Sequence, residues 1–98
     1  MEKELARRVR ILDRVADSLH ELHGVGVTVQ QADDWAKLVA VAHGGQYTLQ
    51  AFIDAGVGRL VLDWSLYSAS NPNECIDAGR GAIDRELDSI GDILDVLP

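Results

Sequence analysis

The sequence predicts an α+β domain: an antiparallel β-meander of three to four strands with an N-terminal and a C-terminal helix packed on one face. Three observations predict it. Residues 2–23 repeat apolar side chains at the helical period. The middle of the chain alternates apolar and polar residues with period two. The last quarter returns to the helical period. Ninety-eight residues suffice for a single domain with one modest core.

The first helix rests on Leu5, Val9, Leu12, Ala16 and Leu19, widened by Val15 and Leu22, and Gly24 stands just past its end. Val25 to Gln30 places valine on one side and small or polar residues on the other, the pattern of a half-buried strand. Trp35 to His43 fits two readings. As a strand it turns at Gly44-Gly45 into a second strand, in which Tyr47, Leu49, Ala51 and Ile53 share a face. As a helix it is capped by Asp33 or Asp34 and ended by Gly44. The strand reading is preferred. Arg59 to Tyr67 is a further strand, with Leu60, Leu62, Trp64 and Leu66 on one side. The face away from the helices is expected to carry Thr28, Gln30, Gln46, Thr48, Gln50, Asp63, Ser65 and Tyr67.

The closing helix is expected to run from Asn71 to Leu97. Asn71 suits an N-cap, Pro72 the first helical position and Glu74 a capping box. Ile76, Ile83, Leu87, Ile90, Leu94 and Leu97 give it an apolar face. Against this stand Gly79, Gly81 and Gly91, each costing about 1 kcal/mol relative to alanine in a helix interior.

Charge is unevenly distributed. The chain carries a net −7, from eleven Asp and five Glu against seven Arg and two Lys. Residues 1–14 sum to +2, so the remaining 84 carry −9. On the last helix Asp77, Asp84, Asp88 and Asp95, with Asp92 at the margin, form a carboxylate stripe whose i, i+4 members stand ~6 Å apart along the axis. On the first helix Lys3, Arg7, Arg10 and Arg14 form a basic stripe. The acidic balance argues against direct nucleic-acid binding, which needs a basic footprint, and favours a basic protein partner.

No nucleophile elbow, HExxH, CxxC or phosphate loop is present. His20 and His23 lack further ligands at metal spacing, and Cys75 is the lone cysteine. The sequence thus predicts a non-enzyme with no catalytic residues, no metal and no cofactor. No apolar run approaches the ~20 residues that cross a bilayer. The charged start is no secretory signal, so the expected place is the cytoplasm.

The leading functional expectation is a small acidic inhibitor or interaction protein. It would bind a basic surface through Asp77, Asp84, Asp88, Asp92 and Asp95, as a nucleic-acid mimic of the kind phages and mobile elements use against host defences. One alternative is an oligomeric small-molecule or nucleotide binder. There Lys3, Arg7, Arg10 and Arg14 meet phosphate while Trp35, Tyr47, Trp64 or Tyr67 stacks on a base. Another is a structural subunit whose apolar faces are completed in a homo-oligomer.

Overall fold

The computed structural model describes residues 2–56 and 59–97, with the side chains of 4–54 and 59–97. Helix α1 (Glu2–His23) is followed by strands β1 (Gly26–Gln31), β2 (Ala36–Ala42), β3 (Tyr47–Gly56), β4 (Arg59–Ser68) and β5 (Asn71–Gly81), then by helix α2 (Ile83–Val96). The strands form one antiparallel sheet in the order β1-β2-β3-β4-β5. This is the predicted α+β meander with a helix at each end, carrying five strands where three to four were expected.

Each element follows from local chemistry. Helix α1 buries Leu12, Val15 and Leu19, and Gly24 ends it in the left-handed conformation (φ 66°), donating its N–H to the His20 carbonyl at 3.0 Å. Residues 36–42 are a strand because Leu38, Ala40 and Ala42 turn inward with period two, opposite Ala51, Leu49 and Tyr47 of β3. The expected two-residue turn at Gly44-Gly45 is instead a tight loop over 43–46. His43, Gly44 and Gly45 all take positive φ there, at 53°, 66° and 95°. His43, the non-glycine member, donates from Nε2 to the Leu94 carbonyl at 3.3 Å and meets the Tyr47 ring edge-on. That carbonyl lies in the last turn of α2, where no intrahelical donor reaches it.

Leu49, Ala51 and Ile53 of β3 lie opposite Leu66, Trp64 and Leu62 of β4 and form the floor on which Ile90 and Leu94 of α2 pack. On the open face Thr28, Gln30, Thr48, Gln50, Asp63, Ser65 and Tyr67 lie in register as expected, joined by Val39, Val41 and Phe52. Gln46 falls in the loop instead. Arg80 crosses this face from β5, reaching Asp63 of β4 at 3.0 Å and Asp54 of β3 at 2.7 Å. Its guanidinium is held above the ordinary arginine range, first by the hydrogen bond to Asp54 and then by that to Asp63.

The expected helix over 71–97 is corrected: Asn71–Gly81 is an edge strand and the helix begins only at Ile83. Its supposed capping pair does interact, Asn71 Nδ2 donating to Glu74 Oε2 at 2.7 Å, but outside any helix. The pairing with β4 decides the matter, setting Gly79 opposite Trp64 and Gly81 opposite Leu62. A Cβ at Gly79 would collide with the Glu86 carboxylate and the Trp64 indole, and one at Gly81 with the Arg85 guanidinium. The two glycines that would weaken a helix therefore make room for α2 to lie against β5. Ile76 is 49% exposed rather than part of an apolar helix face. Cys75 lies on the exposed strand edge and not in a helix turn.

Candidate interaction groove

Helices α1 and α2 lie side by side over the sheet and run the same way, with His23 at the end of α1 beside Asp95 near the end of α2. Arg7, Ile11, Arg14, Val15 and Ser18 of α1 share a cavity with Ala82 and with Ile83, Asp84 and Leu87 of α2, closed below by Arg59 and Leu60 of β4. Its volume is about 680 Å³. The groove continues past Ser18 and Leu87 into a second depression, lined by Leu22 and His23 on one side and by Asp88, Gly91, Asp92 and Asp95 on the other. One groove thus has an arginine end and an aspartate end.

Local chemistry explains the packing along it. Gly91 is buried under the His23 ring, where a Cβ would stand 2.7 Å from Nε2. The ring is held by Asp95, whose Oδ1 lies 3.1 Å from Nδ1. At the other end Glu86, only 6% exposed, accepts the Trp64 indole N–H at 3.0 Å and the Arg85 Nε–H at 3.3 Å. A carboxylate in the first turn of α2 also suits the positive end of the helix dipole.

The structure brings Asp84, Asp88, Asp92 and Asp95 onto one exposed edge of α2, bordering the groove. Among the described residues Asp84, Asp88 and Asp92 have no ion-pair partner, and Asp95 has only His23. Asp77 does not join them. It sits on β5, where its carboxylate accepts the N–H of Ala78 at 2.8 Å. The nearby arginines are engaged elsewhere: Arg80 with Asp54 and Asp63, Arg85 with Glu86.

Of the basic stripe, Arg7 and Arg14 line the cavity, whereas Arg10 is exposed and does not. The side chain of Lys3 lies outside the described residues. Arg59 joins the arginine end from a strand far along the chain, and no periodicity in the sequence connects it to α1. The Trp64–Glu86 contact was equally hidden, because its members belong to elements with different periods.

Among the described residues no group of three His, Cys, Asp or Glu is arranged to hold a metal. No described helix is long and apolar enough to cross a membrane. Comparison with protein-family models, curated proteins and solved structures returns no match.

Proposed function

We propose that this protein is a small acidic, non-enzymatic binding protein that occupies a basic surface of a larger protein with the α2 carboxylate row. The observation that carries this reading is that Asp84, Asp88 and Asp92 stand exposed on one helix edge with no ion-pair partner among the described residues. Like charges at i, i+4 cost a helix roughly 0.2–0.5 kcal/mol per pair. Asp92 and Asp95 also stand near the carboxyl end of α2, where the dipole favours cations, and the last turn holds no basic residue. A row so arranged weakens its own helix, and a basic partner offsets the repulsion.

A regular file of carboxylates resembles a phosphate backbone in charge. The reading therefore extends to a nucleic-acid mimic that blocks a nucleic-acid-handling protein, in the manner of phage and mobile-element inhibitors. The protein is placed in the cytoplasm on this reading.

The test is a tagged pull-down from lysate of the source cell or its host, washed at low and at high salt. Support would be one basic protein that is released by salt, displaced by DNA and not captured by the Asp84→Asn/Asp88→Asn variant. Undiminished capture by that variant removes the row from the mechanism.

A further inference from the structure

We infer that the arginine end of the interhelical groove is a binding site for a single-chain aliphatic anion, an alkyl chain ending in a phosphate. Asp84 alone is common to this site and the carboxylate row, at the rim of the cavity, and the site does not depend on the row's function.

Three arginines from two elements, Arg7 and Arg14 of α1 and Arg59 of β4, converge on one cavity. None has an ion-pair partner among the described residues. In a chain of net −7 such a concentration runs against the overall field. Asp84 on the rim offsets one of the three, leaving a local +2. A phosphate monoester, which carries about −1.5 to −2 near neutral pH, matches that balance and presents the oxygens that guanidinium forks bind best.

The floor decides the rest of the ligand. Apart from Arg59 it is aliphatic, Leu60 with Ile11, Val15, Ile83 and Leu87 beside it, and most of these residues remain half-exposed although they border the core. None of Trp35, Tyr47, Trp64 or Tyr67 lines the cavity, so it offers no ring on which a base could stack. That argues for an alkyl chain and against a nucleotide. A cavity of about 680 Å³ is of the size that takes small-molecule ligands.

The experiment is calorimetric titration of the purified protein with decyl phosphate below its micelle concentration. Decanol and inorganic phosphate serve as partial ligands. The expected result is saturable one-to-one binding that also raises the melting temperature, with decanol and phosphate each at least tenfold weaker. Arg14→Gln/Arg59→Gln should lower the affinity at least tenfold while leaving the unliganded melting temperature unchanged. Asp88→Asn/Asp92→Asn should leave the affinity unchanged. The inference is overturned by an absence of saturable binding, by a falling melting temperature, or by equal affinity in the arginine variant. Co-sedimentation with phosphatidic-acid vesicles without binding of dispersed decyl phosphate would overturn it too, in favour of a membrane surface.

Discussion

Trp64 of β4 donates its indole N–H to Glu86 of α2 across 3.0 Å, and Gly79 of β5 lies against both partners. Strand, helix and neighbouring strand are thereby locked at one point, with a carboxylate 6% exposed at its centre. A buried polar group is tolerable only with its donors in place, and this one has two.

Replacing Trp64 by Phe keeps most of the apolar volume and removes the donor. The expected loss is about 1–3 kcal/mol, the cost of an unsatisfied buried group, read from urea denaturation. Glu86→Gln keeps an oxygen for the indole and should lose less. A Trp64→Phe variant as stable as the parent would show that the contact does not hold α2 in place.

Gly79→Ala should destabilise by about 1–3 kcal/mol through overpacking, since the new methyl meets the Trp64 ring and the Glu86 carboxylate. Gly26→Ala is the control. Nothing lies within 4 Å of a Cβ there, and the change should stay within about 0.5 kcal/mol. Thermal melting of the two variants side by side distinguishes a packing effect from a general cost of substituting strand glycines.

Asp92→Lys should stabilise the fold by about 0.3–1 kcal/mol, because it puts a cation near the carboxyl end of α2 and breaks the file of like charges. The same change should weaken capture of a basic partner. A gain in stability with a loss of binding is the signature of a charge kept for function. Loss of both would mean that Asp92 supports the fold.

Cys75 should react with Ellman's reagent in the folded protein at close to the rate of the denatured chain, since it lies on the exposed edge of β5. Strong protection would show that the edge is covered in solution, as pairing with a second copy would do.

The elements with a clean period were legible from residues alone. Helix α1, the inward sides of β3 and β4 and the apolar stripe Ile83, Leu87, Ile90, Leu94 and Leu97 were all visible, whereas residues 35–43 fitted strand and helix alike. So was the acidic row from Asp84 to Asp95, because helical spacing is a local property. Residues 71–81 were not legible. Asn71, Pro72 and Glu74 imitate a helix start, and an edge strand exposed on both faces shows no alternation to contradict them. The glycines at 79 and 81 were the available warning, and their purpose appears only when Glu86, Arg85 and Trp64 are seen against them.

The candidate sites divide the same way. The charge balance, the aspartates of α2 and the arginines of α1 belong to the sequence, since composition and a single helix's period determine them. The removal of Asp77 from the row, the arrival of Arg59 beside Arg7 and Arg14, and the aliphatic floor between the helices were decided by tertiary structure. Each depends on pairing or packing between residues distant in the chain, where long-range burial and strand register outweigh local preference.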